Sequence, residues 1–291
     1  ITPSRWFSGG KGLDDFRAEM LQDKHLRKIV DYADNEALFS NVSIVGGVNY
    51  FLWDSSYNGD CEVTSIRGEN AVTLNRDLSE YDIFIRNNNA LQLIRRMEAS
   101  SDRKMDDVVY PRNVFGISSD LRGQDNKDEK HQIALFSSQK SNSMAMSYIS
   151  GDEVQKQHEL IGKYKVIMGK VVPRGGEVGV DPSVGYRVTS TLQVLSPGSV
   201  FTDSYLLLAA FDSKAEAIHF AEYMCLKFPR FLLHETYSSM NISKQNFRFV
   251  PFLDYSKEWT DKELFERYGC NEEEISMIES IIRPMEYVFH E

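Results

Sequence analysis

The chain has 291 residues, 42% of them hydrophobic, and a net charge of −10 from 33 basic and 43 acidic side chains. That is ample apolar material for one large domain or two smaller ones, and it excludes a protein coated in basic residues. No apolar run approaches the roughly 20 residues that span a bilayer, and no charged-then-apolar leader opens the sequence, so the expectation is no membrane partner and a cytoplasmic location.

Ile1-Thr2-Pro3 has no initiator Met and reads as the end of a strand arriving from upstream, as in a fragment. SRWFSGGKG follows. Glycines ahead of a helix can present amides to an anion, but GxxxxGK[ST] is absent, so the loop reads as a Gly-rich lead into a helix that brings Lys11 near a DNA phosphate. Leu13, Phe16, Met20 and Leu21 share one helical face over Leu13 to Gln22, with Asp14 and Asp15 in the first turn, where negative charge complements the dipole. Leu26 to Tyr32 reads as a strand. After Leu38-Phe39 comes a run, Val45 to Trp53, in which Asn49 is the one polar side chain, predicting a strand buried on both faces. Gly46-Gly47 inside it points to a bulge or a close approach of backbone or ligand. Cys61 to Ile66 continues as a strand, so this part reads as the edge of an α/β sheet.

From Arg67 to Glu80 the sequence is polar and lacks clear periodicity, which places a domain boundary there. A helix is expected over Asn88 to Glu98, then, from Ser119 to Ser147, a loop-rich insertion around the short apolar Ile133 to Phe136. Ile161 to Val172 is a strand candidate and Pro173 to Gly176 a turn. Tyr205 to Ala210 is a buried strand leading to a helix opened by Ser213 and Glu216, which Pro229 ends or kinks, with a second segment over Arg230 to Tyr237. Asn241 to Phe252 reads as a polar loop feeding a strand closed by Pro251. Two helices end the chain, capped by Thr260 with Glu263 and by Asn271 with Glu274, the first stopping at Gly269 and the second turning Ile275, Ile278 and Ile282 inward.

Metal and hydrolytic motifs are absent: the six histidines lie apart, without HExxH or paired-ligand spacing, and there is no GxSxG turn. Cys61, Cys225 and Cys270 are too scattered for a disulfide framework or a zinc site and are expected to be buried thiols. Asp31 and Glu62 sit on candidate strands, yet no lysine completes a nuclease metal pair. Between Leu160 and Gly176, however, Lys163, Lys165, Lys170 and Arg174 stand with no carboxylate among them. A local positive face of that kind is what a DNA-binding protein needs, because phosphate contacts supply most of the affinity; the alternative is a solvated, Lys-rich strand pair.

PSRWFSGGKGLDDFR, LFSNVSIVGGVNYFLWD, NISKQNFRFVPF and WTDKELFERYG resemble the C-terminal half of gamma-class N6-adenine DNA methyltransferases, above all the single-chain type IIG restriction-modification enzymes. The resemblance is most specific in the first 55 or so residues and about the last 90. It implies an α/β remnant of a methyltransferase sheet over residues 1–78, followed over 79–291 by an α+β target-recognition domain with a helical C-terminal tail. The family's Asn-Pro-Pro-Tyr and its Gly-rich cofactor motif are not in this sequence. The resemblance therefore implies no cofactor in this segment, S-adenosylmethionine in the parent enzyme, and a further methyltransferase or nuclease domain upstream in the same chain. It also carries one role onto one residue: Phe39 stands where the family places an aromatic on the flipped adenine, and an extruded base regains stacking on such a ring. The alternative is Phe39 as an ordinary core aromatic.

Double-stranded DNA is the expected partner. Beside Lys11, Lys163, Lys165, Lys170 and Arg174, the later loop offers Asn241, Ser243, Lys244 and Gln245, since Asn and Gln suit adenine edges and Lys grips phosphate. The leading reading is DNA sequence recognition and target-base positioning within an adenine methyltransferase of a restriction-modification enzyme. Two others stand beside it: a non-catalytic DNA-specificity module working with a separate methylase subunit, and a protein-interaction domain without a DNA role, which the acidic net charge favours.

Overall fold

The computed structural model describes residues 1–9, 12–33, 38–39, 44, 46–138, 146–171, 185–237 and 241–288. Within them the chain is mixed α/β, with three sheets and six α-helices. The first sheet contains β1 (Thr2–Pro3), β2 (Leu26–Tyr32), β3 (Val48–Trp53), β4 (Cys61–Arg67) and β5 (Asn70–Arg76), in the order β1-β3-β2-β4-β5. β2 and β4 run parallel and the other pairs antiparallel. α1 (Asp14–Gln22) links β1 to β2 and covers a small core of Trp6, Phe7, Leu21, Ile29, Val63 and Phe84.

Two expectations for this sheet are corrected. β3 is not buried on both faces. Val48 and Asn49 are, but Tyr50, Phe51, Leu52 and Trp53 are 39–51% exposed, because the only strand on that edge among the described residues, β1, ends opposite Val48 and Asn49. The polar stretch after Arg67 is not structureless: β5 pairs with β4 along its whole length across a turn at Gly68, whose φ of +57° suits glycine. An exposed edge strand has no apolar face to reveal itself by. The Gly46-Gly47 signal reflects a backbone approach: both glycines have positive φ, and a Cβ on Gly47 would collide with the carbonyls of Tyr32 and Ala33.

The rest of the chain packs around two further cores. β6 (Ile133–Phe136), at the residues expected, lies between β7 (Ser147–Ile149), antiparallel, and β10 (Ser199–Phe201), parallel. β8 (Tyr164–Gly169) is the centre of an antiparallel sheet between β9 (Leu192–Leu195) and β11 (Tyr205–Phe211). α3 (Lys214–Tyr223) lies on that sheet, its N-terminus capped by Ser213 accepting from the Glu216 amide. The largest core joins α2 (Leu91–Ala99), this sheet, α3 and α4 (Lys227–His234) to the tail helices. Those are α5 (Asp261–Arg267) and α6 (Glu272–Ile281), with both expected capping boxes formed, Ile278 and Ile282 buried and Ile275 half-buried.

Pro229 neither ends nor kinks a helix. α3 has stopped at Tyr223, and Pro229 sits in the first turn of α4, where its missing N–H leaves no intrahelical bond unmade. Residues 241–252 form no strand; a 3-10 turn over Lys244–Phe247 and a bridge from Pro251 to Lys104 replace it. The turn expected at Pro173 to Gly176 lies outside the described residues.

Candidate nucleic-acid interface

The loop that carries Phe39 leaves β2 after Tyr32 and returns to β3 through Gly46 and Gly47. Its base is held by one buried guanidinium. Arg86 donates to both Asp31 oxygens, Nε to Oδ2 at 2.8 Å and Nη2 to Oδ1 at 2.7 Å, in the fork geometry that makes such pairs strong. Its Nη1 also donates to the Gly46 carbonyl at 2.7 Å and Nη2 to that of Tyr32 at 3.3 Å, so a single side chain ties both ends of the loop. Ser4 adds a hydroxyl bond to Asp31 at 3.0 Å, and Asn49 donates to Ser4 at 3.1 Å. Asp31 thus faces a cation already supplied by the chain, and Glu62 pairs with Lys28 at 2.8 Å. Phe39 itself is 37% exposed, beside an equally exposed Leu38, and it takes no part in the core of the first sheet.

Among the described residues the expected basic face does not form as a single surface. Lys165 is fully buried: its ammonium donates to the carbonyls of Lys163 at 2.6 Å, Leu160 at 3.1 Å, Ile161 at 3.3 Å and Ser196 at 3.4 Å, and burial pulls its pKa down to about 7. It is buried because β8 is covered on both faces, Val166 and Met168 joining the largest core and Ile167 the second. Such a group cannot reach phosphate. Lys163 pairs at the surface with Asp212. Lys11 and Arg174 lie outside the described residues.

Lys170 and Asn241 are brought together. The Ile242 amide donates to the Lys170 carbonyl at 2.8 Å beside a bridge between Val171 and Asn241, and both side chains line an open cleft of about 590 Å³. Arg112 and Arg187 share that cleft, with hydroxyls from Ser119, Ser190, Thr191 and Ser204 and the carboxylate of Asp203. Lys170 meets Asp203 at 2.7 Å; burial lowers its pKa while Asp203 works the other way and Arg112 reinforces the lowering. Three cations against one carboxylate make a cleft suited to an anionic ligand. Sequence reasoning missed Arg112, Arg187 and the hydroxyls, because the fold gathers them from four separate stretches.

Ser243 and Gln245 line a different cleft, of about 240 Å³, with Ser8, Arg17, Asp82 and Arg248, while Lys244 lies on a third with Arg103 and Asp107. Ser243 is occupied with backbone work, its amide and hydroxyl both donating to Asn246 Oδ1. Cys61 and Cys225 are the buried thiols expected, pushed by burial up to about 12 and about 11, and Cys270 is half-buried.

Residues 1–39 match the family model described as the Eco57I restriction-modification methylase. No curated protein matches the chain. Among solved structures it is similar to the type IIG restriction endonuclease BpuSI, with 9% identity and a TM-score of 0.36 over 93% of this chain and 42% of that one. The chain thus spans less than half the length of that enzyme.

Proposed function

We propose that this chain recognises DNA and positions the target base within an adenine-specific methyltransferase of a restriction-modification system. The observation that carries the reading is the match of residues 1–39 to a restriction-modification methylase, ending on an aromatic ring exposed at a loop whose base is pinned by Arg86. In this reading residues 1–78 complete a methyltransferase sheet and 79–291 hold the target-recognition part. Phe39 stacks on the extruded adenine, replacing the neighbours the base loses when it leaves the duplex. The cleft of Arg112, Lys170, Arg187 and Asn241 takes the duplex backbone, its cations positioning the DNA while neighbouring amide and hydroxyl groups read base edges.

S-adenosylmethionine supplies the methyl group in such enzymes. The residues here do not fit it, since neither the Asn-Pro-Pro-Tyr motif nor the Gly-rich cofactor motif is in the sequence, so in this reading its site is built by other residues of the whole protein. Among the described residues no helix is long and apolar enough to cross a membrane, and a cytoplasmic location accompanies the proposal.

The test is Phe39→Ala in the full-length enzyme, followed by methylation kinetics and thermal unfolding: methylation falls while folding holds, and unchanged methylation removes the role. Arg112→Ala, at an exposed position, weakens duplex binding and lowers the slope of log affinity against log salt by about 0.9; an unchanged slope removes the cleft from the interface. A second reading, a specificity module docked on a separate methylase subunit, draws support from the exposed apolar residues of β3, and co-purification of a methylase with the full chain would favour it.

A further inference from the structure

On α3, which packs against the β8–β9–β11 sheet, His219 and Glu222 stand one turn apart, and the segment leading to α5 brings Glu258 against them. One ligand atom from each of the three lies within 4.8 Å of the others. The His219 Nδ1 is 3.0 Å from the Tyr255 carbonyl. A carbonyl can only accept, so Nδ1 carries the hydrogen and, in the neutral ring, Nε2 presents its lone pair. That nitrogen is the one facing Glu258, 3.9 Å from Oε1. Tyr255 is itself fixed: its ring packs against Phe211, Phe220, Tyr223 and Phe252, so the carbonyl that orients His219 rests on the core.

We propose that His219, Glu222 and Glu258 form a binding site for a divalent first-row transition cation such as Zn²⁺. A ring nitrogen held in one tautomer by a second partner is how metal-binding histidines are prepared. The set of one imidazole and two carboxylates favours such an ion over Mg²⁺ or Ca²⁺, which prefer oxygen alone. Among the described residues no lysine or arginine forms an ion pair with Glu222 or Glu258. Glu222 is half-buried with its carboxylate beside that of Glu258, a repulsion that a cation between them relieves. With metal bonds of about 2.0–2.2 Å and tetrahedral angles, donors stand about 3.4 Å apart, so the three groups must close from separations of up to 4.8 Å. Glu258, 77% exposed, is free to make that move. Water completes the coordination, and the ion ties α3 to the chain after Tyr255.

The experiment is isothermal titration of Zn²⁺ into the full 291-residue chain stripped with a chelator, with Mg²⁺ as the comparison and Co²⁺ absorption as a second readout. The expected result is one equivalent of Zn²⁺ bound, no comparable uptake of Mg²⁺, and a Co²⁺ visible band that His219→Ala abolishes. His219→Ala weakens Zn²⁺ about tenfold or more, on the scale by which altering a metal site's supporting groups lowers affinity. Glu258→Gln, at an exposed position that leaves the metal-free melting temperature unchanged, weakens it by a smaller factor. Absence of a stoichiometric isotherm overturns the proposal, as does unchanged affinity in Glu258→Gln, and equal uptake of Mg²⁺ overturns the ion class.

Discussion

In the first sheet the central strands close over a guanidinium and a carboxylate, Arg86 and Asp31, with hydroxyl and amide groups of Ser4 and Asn49 filling in around them. In the body that follows, the centre is aromatic: Phe220 meets the rings of Phe211, Tyr223, Phe252 and Tyr255, and Phe228 stacks on Tyr268. The first region trades apolar burial for a directional network that ties a loop, and leaves apolar side chains of β3 in solvent; the second buries nearly all of its own. Polar fastening fixes Tyr32 and Gly46 without a deep core.

This contrast can be broken at either side. Phe220→Ala is expected to destabilise the chain by about 3–5 kcal/mol, from lost transfer free energy and an unfilled cavity, measured by urea unfolding. Arg86→Ala is expected to cost a similar about 3–5 kcal/mol, because it leaves Asp31 buried without its cation; restoring part of the loss with Asp31→Asn in the same chain would confirm that the stranded charge is responsible. An Arg86→Ala chain as stable as the parent would remove the distinction between the regions.

Lys165 sharpens the comparison, being, with Arg230, a fully buried basic side chain in the second body. Its pKa drops from 10.5 in the open chain to about 7 in the fold, so between those values the unfolded chain binds the extra proton. Stability therefore rises with pH across that window, by up to about 1.4 kcal/mol per unit, and Lys165→Met flattens the profile from pH 7 to 10. Equal slopes in the two proteins would show that the ammonium keeps its charge on its four carbonyls. Asn271→Ala removes the cap of α6 and costs about 1 kcal/mol in the same unfolding assay. Lys163→Ala, breaking an exposed pair with Asp212, changes stability by less than about 0.5 kcal/mol.

Local signals carried most of the elements. β2 and β6 fall on the residues expected, and Thr260, Asn271 and Gly269 mark the tail helices, because alternation, caps and positive-φ glycines act within a few residues. What failed was nonlocal. The run through Val45 to Trp53 is as apolar as a buried strand, yet its exposure is decided by which neighbours arrive, and β5 is too polar to announce a strand that β4 imposes on it. The site was legible only in part. Phe39 is exposed and Lys170 and Asn241 share a cleft, while Lys165 is buried, because a lysine's sequence neighbours do not reveal that its strand is covered on both faces. Arg112 and Arg187 could not be singled out without the fold that brings them to Lys170.

The rim of β3 has a practical consequence. Tyr50, Phe51, Leu52 and Trp53 stand together along a strand whose outer amides and carbonyls no described strand takes up, which is an adhesive template for any extended peptide. Like charges on copies of net −10 hold them apart in dilute buffer. Raising the ionic strength removes that restraint, so a preparation of these residues by themselves should cloud as salt is added, and a charged residue in place of Phe51 should keep it clear.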